Sequence, residues 1–342
     1  MDETGLTSGR ESPGDARQSA AADFEAAPLV SVVILMYNSA RYIGPCLRSL
    51  ARQDAGPLEI VIVDNASADG SLEAAGIAAR DAAAAARLLP LRENRGCAGG
   101  NNAGWCASRG NFIVFLNPDT EASRGFIRAI TAPMLDDSRT AVTGARIYYP
   151  GTRILQHAGG IIYPNAMTNH HGAGEEDTGG YGARRDADYV TGAGFAVRRA
   201  ALEMLGGFDE DYYPAYYEET DLCTRARRAG WRVIYTPDAV LYHHESVSLI
   251  ANSPGFRRLY QRMRILYCLK NFSARDWLRG FLPFELWWMR HEPAARGHRR
   301  EQLRAYREGF AWWLKTLVFP VRRRWNKLEK LKHGCSGNKN HG

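Results

Sequence analysis

Three times within the first 120 residues, a run of apolar and β-branched residues stops abruptly at a polar turn. Val30-Ser31-Val32-Val33-Ile34-Leu35 ends at Tyr37-Asn38-Ser39, residues 58–63 end at Asp64-Asn65, and residues 111–116 end at Asn117-Pro118-Asp119. Short runs that are apolar throughout describe strands buried on both faces. Between them the spacing is helical. Ile43, Leu47 and Leu50 mark a helix over 40–54, residues 71–87 are Ala-rich with Ser67 or Asp69 available as N-cap, and 99–108 follows a Gly/Asn-rich turn. A third short strand is expected at 88–91. Strand and helix alternating in this way predict a parallel α/β sheet, whose ligands bind beyond the carboxyl ends of the strands. All three polar turns fall at that edge. One such turn is ordinary turn chemistry; three together describe a site.

Further on, the pattern loosens over 141–189, around Gly159-Gly160 and Asn169-His170-His171, which read as ordinary loop residues. Order is expected again at 189–197, in helices over 199–205 and 219–229 (with Gly230 as C-cap), and in two short strands at 231–235 and 239–243. From 254 onward the chain reads as helical, aromatic and basic. The expected organisation is a disordered leader over 1–28, a folded α/β domain over 29–254 in two halves, 29–120 and 121–254, a helical extension over 255–333 and a disordered tail over 334–342.

Composition narrows the partners. The 342 residues are 45% hydrophobic and 24% charged, as in a globular protein with a sizeable core. A formal charge of +7 favours an anionic partner, whether nucleic acid, anionic lipid or phosphorylated substrate. The six cysteines form no Cys-x-x-Cys pair and no zinc-spaced cluster, and read as reduced thiols of a cytosolic protein. The polar leader has no signal-peptide core, and no apolar run approaches the roughly 20 residues needed to span a bilayer. Membrane contact is expected to be peripheral.

The motifs are distinctive as an ordered set. VSVVILMYN (30–38), VDNASADGS (63–71), ENRGCAGGNNAG (93–104), FLNPDT (115–120), GGFDE (206–210), EETDLCTRARRAGW (218–231) and HHES (243–246) resemble the large family of inverting glycosyltransferases with the GT-A fold. Within it they look most like the bacterial rhamnosyltransferase-type members, over about residues 30–250. The resemblance implies an α/β GT-A fold with a mostly parallel central sheet flanked by helices. It implies transfer of a sugar, rhamnose by likeness alone, from a nucleotide-diphosphate donor to a lipid-linked or cell-surface glycan.

A leaving nucleoside diphosphate calls for a divalent cation, Mn²⁺ or Mg²⁺, held by one or two carboxylates with positions left for phosphate and water. Asp119, just past a buried strand, is the best candidate. By resemblance Asn117-Pro118-Asp119 stands at the family's Asp-x-Asp position, and Asn117, which departs from that pattern, would orient ribose or water. Asp64 would bond the base or ribose, with Tyr37 and Asn38 lining the same pocket. Arg95 offers charge to the diphosphate, Gly99-Gly100 permit close backbone approach, and Asn101 and Asn102 stand nearby. His243 or His244 is implied as a metal ligand or diphosphate contact, and Gly192-Ala193-Gly194 as the tight turn beneath the acceptor.

Inverting transfer also needs a base for the acceptor hydroxyl, and a carboxylate among carboxylates has the raised pKa that suits it. The resemblance points to Glu219; the family more often has Asp there, so Glu218 stays an alternative. Asp221 reads as structural, pairing with Arg225 one turn on. The competing account of the run is an acidic helix start that satisfies the dipole.

In the basic tail, Trp277, Trp287-Trp288, Trp312-Trp313 and Trp325 interleave with Lys and Arg, and Arg322-Arg323-Arg324 follows an apolar stretch. Such a pattern marks helices lying in a membrane interface, here expected at the inner face of the plasma membrane, or aromatics packed on the catalytic domain. No nucleic-acid recognition module accompanies the charge. Other readings are an inert nucleotide-sugar-binding membrane scaffold and a nucleotidyltransferase. A dehydrogenase is disfavoured, because no Gly-x-Gly-x-x-Gly follows the first strand.

Overall fold

The computed structural model describes residues 28–82, 84–245, 253–291 and 299–318, without the side chains of 313 and 315–318. The leader up to residue 27, Ser246, Arg322-Arg323-Arg324, Trp325 and the 334–342 tail lie outside the described residues.

β1 (Val30–Met36), β2 (Leu58–Asp64) and β3 (Ala86–Pro90) run parallel, and β4 (Phe112–Leu116) runs parallel to β1 on its other side. Successive side chains point to opposite faces of a sheet, and here both faces are buried. Val32, Ile34 and Met36 enter the core under α1 (Ile43–Ala51) and α2 (Ser71–Asp81). Val33, Val61 and Val63 enter the opposite core under α3 (Gly96–Ala107). Each large apolar side chain so buried contributes about 1.5–3 kcal/mol, which is why these runs carry no alternation. The helix expected over 71–87 stops at Asp81, because residues 86–90 pair with β2. Neither expected N-cap occupies the cap position of α2. Gly70 does, at φ +82°, while Asp69 accepts from the Ser71 amide at 3.0 Å.

Beyond β4 come β5 (Thr120–Ala122), α4 (Phe126–Asp136), β6 (Thr140–Tyr148), β7 (Leu155–His157), β8 (Gly160–Ile162), β9 (Thr168–His170), β10 (Arg185–Asp186), β11 (Gly194–Arg198), α5 (Arg199–Leu205), α6 (Glu218–Arg228) and β12 (Arg232–His243). The strand order is β10-β12-β6-β11-β4-β1-β2-β3, with β5 paired to β12, β7 to β6, and β8 with β9 forming a separate hairpin. β11 lies antiparallel between β4 and β6, so its entry, not its exit, meets the carboxyl end of β4. The two strands expected at 231–235 and 239–243 are one. Its register shifts between Thr236 and Val240, where Pro237 has no amide to give the ladder. Cys46, Cys97, Cys223 and Cys268 are free thiols. Cys106 is disulfide-bonded, a departure from the reduced state expected of all six.

The C-terminal helices share a core with the catalytic domain. α7 (Pro254–Asn271) begins with Pro at its first position after Ser253, whose Oγ accepts from the Phe256 amide at 3.1 Å. Met263, Leu266 and Tyr267 pack with Tyr212, Tyr217 and Ala166. A π-helical turn (Asp276–Phe281), α8 (Leu282–His291) and α9 (Arg299–Val318) follow. The fully buried Arg264 forks onto Glu285 at 2.6 and 2.8 Å, and Asn165 and Gln302 satisfy the same carboxylate. Trp277 and Trp312 pack inward on this cluster. Leu278, Leu282 and Leu286, spaced four residues apart, are 67%, 45% and 63% exposed, beside Trp287 at 50%. Among the described residues no helix is long and apolar enough to cross a membrane.

Candidate active site

The polar turns that end β1 and β2 are stitched together. Met36 pairs with Asp64, and the Asn65 amide donates to Met36 O at 2.8 Å. Asn38, at φ +51°, accepts from the Ala68 amide at 2.9 Å and donates its own amide to Ser67 Oγ at 3.0 Å. Tyr37 stands exposed beside it, while Asp64 is buried. One Asp64 oxygen accepts from the Ser67 amide at 3.3 Å, and Oδ1 has no partner among the described protein groups. An orphaned buried carboxylate oxygen is costly, so Asp64 keeps an unused acceptor at this edge of the sheet.

At the start of α3, Arg95 is turned to Glu210 at 3.2 Å, with both side chains part-exposed. Asn65, read from the sequence only as part of the polar turn after β2, fixes this turn by accepting from the Arg95 amide at 2.9 Å and donating to Asn94 Oδ1 at 3.0 Å. Asn102 is buried and structural, since its carboxamide clamps the Phe208 backbone at 2.9 Å in both directions. Asn101 is partly exposed on the helix. Of the two glycines expected near a diphosphate, Gly100 packs the helix on the sheet, since a Cβ there would overlap Leu35, whereas a Cβ on Gly99 would meet Arg95, beside its pair with Glu210. Gly104 is packed in the same way as Gly100, against Val33.

Beyond β4, the pairing of β5 with β12 sets His243 opposite Thr120 and so beside Asp119. His243 Nε2 lies 3.3 Å from the buried Asp119 Oδ1, while the other side of the ring meets the Gln156 carboxamide, Nδ1 to Oε1 at 2.9 Å. His244, the next residue, points elsewhere. Its Nε2 bonds Glu121 at 2.9 Å, and only its backbone amide reaches Asp119, donating to the carbonyl. Of the two histidines, the structure brings His243 to the Asp119 side chain. The Asn117 backbone is tied to the neighbouring turn, its amide donating to Ala193 O at 3.1 Å.

That turn carries the site to α6. The backbone of Gly192 faces the Glu219 carboxylate, while Gly194 is packed so closely on Leu241 that a Cβ would overlap it. Glu219 is partly exposed, and burial raises its pKa to about 7. Glu218 is buried deeper, beside Cys97, and its Oε2 has no hydrogen-bond partner among the described protein groups. Desolvation first, and the charge of Glu219 second, push its pKa well above the usual carboxylate range. Tyr216 and Tyr217, just before α6, hold φ of +79° and +71°, a conformation that costs L-residues about 1–2 kcal/mol each. α7 sustains it. Tyr217 packs on Tyr260 and Tyr267, and its hydroxyl donates to Ala166 O at 2.6 Å. Asp221 is structural, bound by Arg225 at 2.6 Å, Tyr212 and Asn271.

The turns after β1, β2 and β4 thus lie along one sheet edge, and the entry of β11 joins Asn117 to Glu219. A family model described as Glycosyl transferase family 2 matches residues 31–206, more than half of the chain. The chain belongs to that family. It is 26% identical over 297 residues to the N-acetylglucosaminyl-diphospho-decaprenol L-rhamnosyltransferase of Mycobacterium tuberculosis (strain H37Rv), covering 79% of this chain and 92% of that protein. It is 29% identical over 262 residues to the uncharacterized protein y4gI of Sinorhizobium fredii, covering 74% of this chain but only 28% of that longer protein. Among solved structures, the mannosyltransferase PcManGT of Pyrobaculum calidifontis, in complex with GDP-Man and Mn²⁺, superposes with TM-score 0.54 at 20% identity, over 94% of this chain and 92% of its own. GalNAc-T7 with UDP, GalNAc and Mn²⁺ superposes with TM-score 0.58 at 14% identity, over 81% of this chain and 58% of its own. At these identities the likeness concerns the fold, which is GT-A. The domain is that of a glycosyltransferase.

Among the described residues, no group of three or more His, Cys, Asp and Glu side chains is arranged to hold a metal ion. Two donors, Asp119 and His243, do face each other. Mg²⁺ and Mn²⁺ take most of their ligands from phosphate oxygens and water in sites of this kind, so a pair of protein ligands fits such an ion.

Proposed function

We propose that this chain is an inverting glycosyltransferase that moves a sugar from a nucleotide-diphosphate donor to an acceptor hydroxyl. The observation that carries the reading is Glu219, a part-exposed carboxylate with a pKa near neutrality. It is linked through Gly192-Ala193 to the Asn117-Pro118-Asp119 turn. Asp64, Asn38 and Tyr37 hold the nucleoside, with 29–120 as the donor half. The acceptor half, 121–254, floors the acceptor with Gly192-Ala193-Gly194. Asp119 and His243 are the residues that would hold Mn²⁺ or Mg²⁺, which when bound neutralises charge on the leaving diphosphate.

Glu219 Oε takes the proton from the acceptor hydroxyl as its oxygen bonds the anomeric carbon. The anomeric carbon–oxygen bond to the diphosphate breaks on the opposite side, and the nucleoside diphosphate leaves with that electron pair. One displacement inverts the anomeric configuration, with no covalent intermediate. Glu218, buried deeper beside Cys97, keeps its proton and leaves the role of base to its neighbour.

L-Rhamnose as the sugar, and a polyprenyl-diphosphate-linked saccharide as acceptor, are supported by likeness to the mycobacterial relative. A lipid-linked acceptor fits peripheral contact with the inner membrane face. The stripe Leu278, Leu282, Leu286 and Trp287 would enter the interface, flanked by the exposed Arg275, Arg279 and Arg290. Incubation with a panel of nucleotide sugars, Mn²⁺ and a lipid-linked acceptor, with the product anomer read by NMR, tests the reaction. An inverted glycoside is expected; retained configuration or release of free sugar alone overturns it. Flotation with phosphatidylglycerol vesicles tests the membrane face. Leu278→Ser/Leu286→Ser should stay at the bottom of the gradient, and flotation equal to the parent protein sinks that part.

A further inference from the structure

Gln156 lies in β7, outside every motif, 87 residues from His243. Its Nε2 donates to the His243 carbonyl at 2.7 Å, and its Oε1 faces His243 Nδ1 at 2.9 Å. The backbone carbonyl decides which way the carboxamide points, since the flipped amide would set two oxygens against each other. Oε1 can only accept, so Nδ1 carries the ring proton. Nε2, 3.3 Å from Asp119 Oδ1, is then the ring nitrogen turned to the Asp119 carboxylate and to any cation held there.

We infer that Gln156 is a positioning residue of the cation site, holding His243 in the tautomer that presents Nε2 as a ligand next to Asp119. The inference rests on the reading of Asp119 and His243 as cation ligands. Gln156 itself is held from behind, since its backbone carbonyl bonds His170 Nδ1 at 2.9 Å and its strand pairs with β6. Fixing the tautomer of a ligating histidine through its other ring nitrogen is typically worth 10–100-fold in metal affinity.

Full-length protein, titrated with Mn²⁺ in the presence of inorganic pyrophosphate, gives two readouts: a calorimetric Kd, and ¹⁴N modulation of the Mn²⁺ electron spin echo from a bound imidazole. Gln156→Ala should weaken Mn²⁺ about tenfold or more and diminish the ¹⁴N modulation. Its metal-free thermal midpoint should stay close to that of the parent. Gln156→Glu, which still offers Nδ1–H an acceptor, should keep the ¹⁴N modulation, a rescue that a mere packing role would not produce. If the parent shows ¹⁴N coupling that depends on His243 and Gln156→Ala retains coupling and affinity alike, the inference is overturned while the cation reading stands. If the parent shows no imidazole coupling, or Asp119→Ala and His243→Ala bind Mn²⁺ as the parent does, the cation reading and the inference fall together.

Discussion

The backbone of Gly192 lies against the carboxylate of Glu219, so the entry of the one antiparallel strand in the middle of the sheet meets the first turn of α6. Glycine leaves open the space that a side chain would fill against this carboxyl, since a Cβ there would stand 3.8 Å from Glu219 Cδ. Through Ala193 the same turn reaches Asn117. A carboxylate and the end of β4, about 100 residues apart in the chain, are thereby brought together by the two residues Gly192 and Ala193.

Glu219→Gln keeps the shape and loses the base. Single-turnover transfer should fall by about 10²–10⁴-fold, while calorimetric affinity for the nucleoside diphosphate stays within about twofold. If Glu218→Gln shows the larger loss in turnover, the two roles are exchanged.

The pH profile follows from the same group. Glu219 works deprotonated, so kcat/KM should climb about tenfold per pH unit in acid and level off above about 7. Its folded pKa is raised above the ordinary carboxylate value of 4.5. The folded state therefore binds more protons than the unfolded chain, and this stabilisation is complete below about 4.5 and lost as pH rises through about 7. Glu219→Gln should flatten that part of the stability curve. Denaturant titrations between pH 5 and 8 check the sign; a variant whose stability falls with pH as steeply as the parent's would contradict it.

Arg264 and Glu285 lie buried where α7, α8 and α9 meet. Glu285→Ala leaves a guanidinium in the core without its carboxylate, a loss of about 3–5 kcal/mol. A midpoint drop of several degrees by calorimetry is expected. Because α7 braces the Tyr217 turn, transfer activity should fall below the optimum temperature of the parent before the fold melts.

Gly100→Val should lower stability by about 1–3 kcal/mol through overlap with Leu35. In the fraction that folds, the KM for donor should change little. A large KM effect at unchanged stability would mean that the helix backbone does approach the diphosphate.

Much of the catalytic core was legible from residues close together in the chain. The runs at 30–35, 58–63 and 111–116 are apolar because both faces of the sheet are covered, and they end in polar residues because the covering ends there. The acidic start of α6 was legible for the same reason: helix caps and first turns are local. The extent of the helix over 71–87 was not, since pairing with β2 at a distance claimed residues 86–90 for a strand.

Side-chain partners belong to the tertiary structure. The parity of β12 against β5 decided that His243 and not His244 meets Asp119, and no local pattern encodes which face of a strand another segment will cover. Arg95 went to Glu210, Gly100 to Leu35, and Gln156 to His243, each across a loop whose closure the rest of the fold provides. The sequence alone determined the polar edge of the sheet and the residues able to act there. Packing between distant elements decided which of them meet, because hydrogen bonds and close contacts depend on separation in space, whereas sequence patterns report only separation along the chain.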